Sequence, residues 1–271
     1  QHGLKEAQVL NGYLLACQCY PETPMTLSSA QDAEKRIDAS VSNLRELTPE
    51  IIELTLEPSQ PISYRAGQFI RLYNPDGVAR SYSLASVNGL DLDLILHIRE
   101  YPNGLLSSWV HHSVHKGDKV QISEAIGDCF YIPGKPLQPL LLIGTGSGLA
   151  PLSGILRDAL HQGHAGPIHL YHGARNLNGL YLTDEFHSLS EQHHQFVYHP
   201  CVSDPETIPP AGIEKGRASD LALKNHPELK GWRVYLCGNP EMVRSTQMQA
   251  YLAGASLDAI HIDPFDSQSN A

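Results

Sequence analysis

The chain has 271 residues, 41% of them hydrophobic and 18% charged, which is enough for two domains with separate cores. Its formal charge of −10, with Lys and Arg scattered, argues against a nucleic-acid surface and favours partners with basic docking patches. The longest aliphatic run, Leu140 to Ile143, is far short of the ~20 residues a spanning helix needs, and no signal-peptide pattern opens the chain, so no membrane partner is expected.

The chain begins at Gln1 without an initiating Met, an N-terminus expected from cleavage or from the choice of expressed residues. The run Gly12-Tyr13-Leu14-Leu15-Ala16-Cys17-Gln18-Cys19-Tyr20-Pro21 resembles the end of a plant-type [2Fe–2S] ferredoxin domain, in which a Gly-aromatic-Leu-x-Cys-x-x-x-Pro run carries the last cluster cysteine. That resemblance implies Cys17 as the fourth cluster ligand, in an intact ferredoxin domain, and Cys19 as an additional thiol. The upstream C-x₄-C-x₂-C run that such a cluster needs is absent from these residues. Residues 1–32 are therefore expected to be the remnant of a ferredoxin domain with its linker, and this chain is not expected to hold the cluster. The bland alternative is two chance cysteines in a buried strand.

Asp32 to Lys35 reads as linker. Strand-like runs follow at Ile37–Leu47, Ile51–Leu56 and Phe69–Tyr73, separated by Pro-containing turn signals. Arg80-Ser81-Tyr82-Ser83 alternates with period two, which puts Arg80 and Tyr82 on one face. A guanidinium fork suits a phosphate, a phenol ring suits stacking, and the Ser83 hydroxyl can donate and accept. Together they suit a flavin nucleotide; an edge strand with a surface Arg and a packed Tyr is the alternative. Leu92–Arg99 and Lys119–Ile122 complete six antiparallel strands, expected to form a Greek-key barrel over residues 33–136. The one helix in this stretch spans about Leu105 to His112. It opens at Gly104-Leu105-Leu106-Ser107, where free backbone N–H groups and the helix dipole favour an anion.

From Pro139 the rhythm changes to alternating strands and helices, expected as a doubly wound parallel-sheet domain over residues 137–271. The continuous apolar strand Leu140–Ile143 runs into Gly144-Thr145-Gly146-Ser147-Gly148-Leu149-Ala150-Pro151, a turn suited to a dinucleotide pyrophosphate. Its spacing is neither the Rossmann fingerprint nor a P-loop. Strands are expected near 167–172, 195–202 and 232–237, with a last apolar segment near 258–262. The strand Val234-Tyr235-Leu236 ends in Cys237-Gly238-Asn239-Pro240, at the rim where open α/β sheets bind ligands. With no base adjacent, Cys237 reads as a pocket-lining residue and not as a nucleophile.

Five cysteines (Cys17, Cys19, Cys129, Cys201 and Cys237) show no disulfide-framework spacing and suit a reducing cytoplasm. The fifteen histidines, including the His111-His112 and His193-His194 pairs, form no zinc-ligand pattern and read as solvated.

The ordered motifs Arg80–Ser83, Gly104–Ser107, Gly144–Pro151 and Cys237–Pro240 resemble those of the ferredoxin–NADP⁺ reductase superfamily. Within it, the chain is similar to the reductase components of bacterial oxygenases over about residues 36–265. The resemblance implies that Arg80 binds an FAD phosphate, Tyr82 stacks on the isoalloxazine, and Ser83 hydrogen-bonds near its N5. It places Ser81, His97, Ile98 and Arg99 along FAD, and Gly104, Leu105, Leu106 and Ser107 at its pyrophosphate. Gly144, Thr145, Gly146, Ser147, Pro151, Gly238 and Pro240 would hold the nicotinamide dinucleotide, with Cys237 near the nicotinamide. Phe265 would fill the aromatic position beside the flavin, ahead of a tail from Asp266 to Ala271.

NADP-specific members of the superfamily carry Ser-Arg after the third α/β strand. Ser203-Asp204 stands there in this chain, and a carboxylate repels a 2′-phosphate, so NADH is expected; Arg175 argues the other way. The implied function is hydride transfer from NADH to FAD, with single electrons passed to an oxygenase or ferredoxin. A stand-alone reductase of ferredoxin, flavodoxin or free flavin is the second reading, and a redox-silent dinucleotide sensor the third.

Overall fold

Strict alternation along β1 (Arg36–Thr48) turns Ile37, Ala39 and Val41 inward. This strand pairs with β2 (Ile51–Pro58) through two register shifts, which bend the ribbon. With β3 (Phe69–Tyr73), β4 (Ala79–Ser83), β5 (Leu94–Arg99) and β6 (Lys119–Ser123) they make an antiparallel sheet in the order β4-β3-β6-β1-β2-β5. A bridge between Leu84 and Leu96 brings its two edges together, so the sheet closes as a barrel. Leu54, Leu56, Ile70, Leu72, Leu96 and Ile98 fill the interior, and α2 (Leu105–Ser113) covers it with Leu106 and Val110.

This protein's structure, a computed structural model, describes residues 3–24 and 35–265. Residues 32–34 of the expected linker, and the tail from Asp266, lie outside the described residues.

The second half is a parallel sheet of β7 (Leu140–Thr145), β8 (Ile168–Ala174), β9 (Phe196–Val202), β10 (Glu214–Lys215), β11 (Arg233–Gly238) and β12 (Ile260–Pro264), in the order β10-β9-β8-β7-β11-β12. The apolar run of β7 is buried because helices cover both faces. Leu140 and Leu142 pack with α3 (Leu149–His161) and α4 (Thr183–Gln192). Leu141 and Ile143 pack with α5 (Ala218–Asn225) and α6 (Pro240–Leu252). Winding reverses between β7 and β11, the switch point at which such sheets open a ligand crevice.

Gly154 of α3 lets the domains meet closely, since a Cβ there would stand 3.0 Å from the Leu84 carbonyl oxygen. Arg157 also grips Asp91 with two hydrogen bonds of 2.8 and 2.9 Å.

The N-terminal segment is docked on the body. In α1 (Glu6–Leu10), Ala7 is buried against Phe130 and Ile132, and Glu6 accepts from the buried Arg233 at 2.8 Å. Asn11 donates to Asp128 at 2.8 Å. Cys17 is exposed on a short 3₁₀ turn, Ala16–Gln18, so the alternative of a buried strand is corrected. All five cysteines are free thiols.

The expectation of solvated histidines is corrected too. His97, His164, His172 and His261 are buried, and His111 turns inward to the Ile98 carbonyl at 2.9 Å. A neutral imidazole needs only a hydrogen-bonding partner or two to be tolerated inside. No helix among the described residues is long and apolar enough to cross a membrane.

Candidate active site

Two strand-to-helix turns meet at the C-terminal edge of the parallel sheet. Strands β7 and β11 are neighbours, with Gly144 opposite Cys237. A side chain at Gly148 would collide with the Cys237 carbonyl, and Gly238, at φ +114, has no room beside the Thr145 carbonyl. The Asn239 side chain caps α6 by accepting the Met242 N–H at 3.0 Å, with Pro240 in the first turn. The turns therefore interlock, and backbone lines the crevice between them.

That crevice opens into a cleft of about 1100 Å³ between the two domains. Ten of the residues singled out in the sequence line it: Arg99, Thr145, Gly146, Ser147, Arg175, Ser203, Asp204, Gly238, Pro240 and Phe265. Phe265 is anchored by its N–H to the Gly238 carbonyl at 2.8 Å. Arg99 crosses from the barrel, held by Glu50 at 2.6 Å, and a Cβ on Gly146 would lie 3.5 Å from its Nη1. Barrel and glycine turn thus face each other.

The residues of β4 lie outside the cleft lining. Arg80 is half-buried and donates to the Ala79 carbonyl at 2.7 Å; among the described residues it has no carboxylate partner. Tyr82 is half-buried and its pKa is raised by burial. Ser81 is exposed. Ser83 is buried and donates to Asp263 at 2.5 Å, and burial pushes the Asp263 carboxyl up to about 6. At the start of α2, Ser107 accepts the Tyr101 N–H at 3.2 Å and approaches the Gly104 carbonyl at 3.4 Å, so its hydroxyl ties its own turn. Leu105 is exposed and Leu106 is core.

Other singled-out residues stand behind the wall. His97 and Ile98 point into the interior, and only Arg99 of that strand end reaches the cleft. Cys237 is fully buried, its Sγ 3.8 Å from that of Cys129, and burial holds its thiol pKa well above the ordinary value. Gly144 and Pro151 support the turn: a Cβ on Gly144 would press on Leu152, and Pro151 is buried in α3.

Sequence reasoning missed Asp263, Tyr101, Glu50, Arg217 and Asp220. The last four line the cleft, and Asp263 meets Ser83 from a strand 180 residues away. The acidic residue in the first turn of α5 was a readable signal for Asp220. No local pattern pointed to Asp263.

Residues 40–131 match the family described as Oxidoreductase FAD-binding domain, and residues 142–248 match Oxidoreductase NAD-binding domain. The chain is 32% identical over 246 residues to the reductase subunit of an aromatic O-demethylase from Amycolatopsis, covering 87% of this chain and 72% of that one. It is 32% identical over 259 residues to the ferredoxin–NAD(P)(+) reductase component of a Pseudomonas putida naphthalene 1,2-dioxygenase system, covering 93% and 78%. The chain belongs to the ferredoxin–NADP⁺ reductase superfamily. A solved cytochrome P450 reductase of Amycolatopsis superposes with a TM-score of 0.81 at 31% identity, over 87% of this chain and 71% of that one. A ferredoxin NADP⁺ reductase from Neisseria gonorrhoeae, at TM-score 0.74 and 24% identity over 87% and 100%, shares the fold.

The chain is thus an FAD-containing, NAD(P)H-dependent oxidoreductase, which replaces the reading of a redox-silent sensor. Its residues fit both cofactors. Among the described residues Arg80 has no carboxylate partner, Tyr82 is half-buried, and Gly146 brings a turn without a side chain to the cleft lining. Of the plant-type cluster pattern these 271 residues carry only the position of Cys17, without the C-x₄-C-x₂-C run.

Proposed function

We propose that this reductase takes its hydride from NADH in preference to NADPH and delivers electrons to an oxygenase or to that oxygenase's ferredoxin. The opposition of Arg99 and the bare Gly146 turn across the interdomain cleft carries this reading. Bound FAD would supply the conversion of a two-electron hydride into single electrons. Everything else the protein does is positioning.

On the barrel side, Arg80 would hold an FAD phosphate, Tyr82 would present its ring, and the backbone at Gly104 would face the pyrophosphate. On the other side, Thr145 to Ser147 and Gly238 would take the nicotinamide dinucleotide, with Phe265 at the mouth. Cys237 acts there through its backbone, since its thiol faces Cys129. We assign residues 33–136 to the FAD-binding domain, 137–271 to the NAD-binding domain, and 1–32 to a ferredoxin remnant and linker. Asp204 on the cleft wall disfavours a 2′-phosphate, which supports NADH.

The partner class follows from two relatives named as reductase components of an aromatic O-demethylase and a naphthalene dioxygenase system. Steady-state assays with NADH or NADPH, using ferricyanide and then a ferredoxin as acceptor, test the reading. NADH should have the larger kcat/KM with both acceptors. Equal use of NADPH would remove the assignment of Asp204, and failure with ferredoxin alone would remove the partner class.

A further inference from the structure

Tyr181 lies at the seam of the two domains, outside every motif discussed above. It is 3% exposed, and its hydroxyl donates to the Gly146 carbonyl at 3.3 Å. The same hydroxyl lies 3.2 Å from His97 Nδ1, on the barrel strand β5. His97 meets the tyrosine ring edge-on, at 5.4 Å between centroids, and His172 does the same from β8. The next residue, Leu182, has φ 55, a left-handed conformation that a branched side chain adopts only under constraint. This residue stands just ahead of α4, next to the buried Tyr181.

One hydroxyl has one proton to give. With that proton committed to the Gly146 carbonyl, the remaining lone pairs accept from His97 Nδ1–H, which sets the histidine tautomer. Gly146 is the cleft-lining glycine at positive φ that faces Arg99. With its carbonyl held by Tyr181, Gly146 keeps its place in the cleft lining between Thr145 and Ser147.

We propose that Tyr181 is a positioning residue for the nicotinamide dinucleotide, holding the Gly146 peptide in its binding orientation and tying that turn, through His97, to the flavin-binding barrel. The proposal rests on the dinucleotide reading of the glycine turn. It gives His97 a role different from lying along FAD: its imidazole joins the two domains.

The test uses the FAD-loaded protein and ADP-ribose, which binds without donating a hydride. Calorimetry should show Tyr181→Phe binding ADP-ribose roughly three- to tenfold more weakly, the worth of one hydrogen bond. FAD content and the flavin spectrum should be unchanged. KM for NADH should rise by the same factor, while flavin reduction at saturating NADH stays within about twofold. His97→Leu should reproduce the loss, and the double variant should be no worse than either single one. Wild-type affinity in Tyr181→Phe would overturn the proposal, as would a full additive loss in the double variant. If the wild-type protein itself failed to bind ADP-ribose, the dinucleotide site would be wrong and the proposal would fall with it.

Discussion

Ser83 on the barrel and Asp263 on the outermost strand of the α/β sheet share a hydrogen bond of 2.5 Å. The carboxyl is held away from water, and burial raises its pKa from 3.8 to about 6. When Asp263 is ionised, Ser83 donates to it and shows only lone pairs elsewhere. When Asp263 is protonated, it donates, and the Ser83 proton is free to point at a ligand. Polarity at Ser83 therefore reverses near pH 6.

Replacing Asp263 with Asn removes that titration. Flavin reduction by NADH should bend near pH 6 in the wild-type protein and run flat from pH 5 to 7 in Asp263→Asn. Stability should diverge as well. A raised folded-state pKa adds stability that is fully present below the unfolded value and is lost as pH rises through the folded one. Above pH 6, Asp263→Asn should gain up to about 3 kcal/mol relative to wild type. Urea melts at two pH values measure this, and equal differences at pH 5 and pH 7.5 would show that Asp263 does not titrate in that window.

Flavin retention should depend on β4. Arg80→Ala removes a guanidinium that no carboxylate among the described residues neutralises, and Tyr82→Ala removes the ring. Each should weaken FAD affinity at least about tenfold. ADP-ribose binding should change little, because neither residue lines the interdomain cleft. Fluorescence titration of the apoprotein with FAD reads the effect.

Nicotinamide preference should answer to Asp204. Its Oδ1 accepts the Glu206 N–H at 3.1 Å, which fixes the carboxylate on the cleft wall. Asp204→Asn keeps that acceptor and deletes the charge. Its kcat/KM with NADPH should rise about tenfold, the effect of removing ~1.4 kcal/mol of repulsion between like charges, with little change for NADH. An unaltered ratio would mean that Asp204 does not reach the 2′ position.

Acid should unfold the protein steeply. Burial lowers the pKa of His97 and His172 to about 3, and that of His169 and His261 to about 4. A depressed histidine pKa gives stability that is present above the unfolded value of 6.5 and is lost as pH falls below it. The three most deeply buried, His97, His172 and His261, together remove up to about 4 kcal/mol per pH unit, while the raised carboxyls Asp263 and Asp158 oppose them. Against a total of roughly 5–15 kcal/mol, the unfolding midpoint should fall below pH 5. Circular dichroism along a pH titration checks this.

Much of the architecture was legible because its signals are local. The Leu140–Ile143 run announced a strand covered on both faces, and Gly144 to Gly148 announced the turn that follows it. Phe69–Tyr73 has the bounds the alternation implied, while β8 starts one residue later and ends two residues later than expected. What stayed hidden lies between residues far apart in the chain. Ser83 with Asp263, His97 with Tyr181 and Cys129 with Cys237 are pairs separated by 180, 84 and 108 positions, and no periodicity links them. His97 alternates correctly along β5, yet alternation alone does not say whether a polar side chain faces a ligand or a tyrosine.

The most direct measurement is an anaerobic titration of the FAD-loaded protein with NADH, followed by the flavin absorbance. The yellow protein should bleach with one equivalent of NADH per bound FAD, and faster than with NADPH. A colourless protein that takes up no added FAD, or a bound flavin that NADH leaves oxidised, would contradict the assignment of this cleft as the site of hydride transfer.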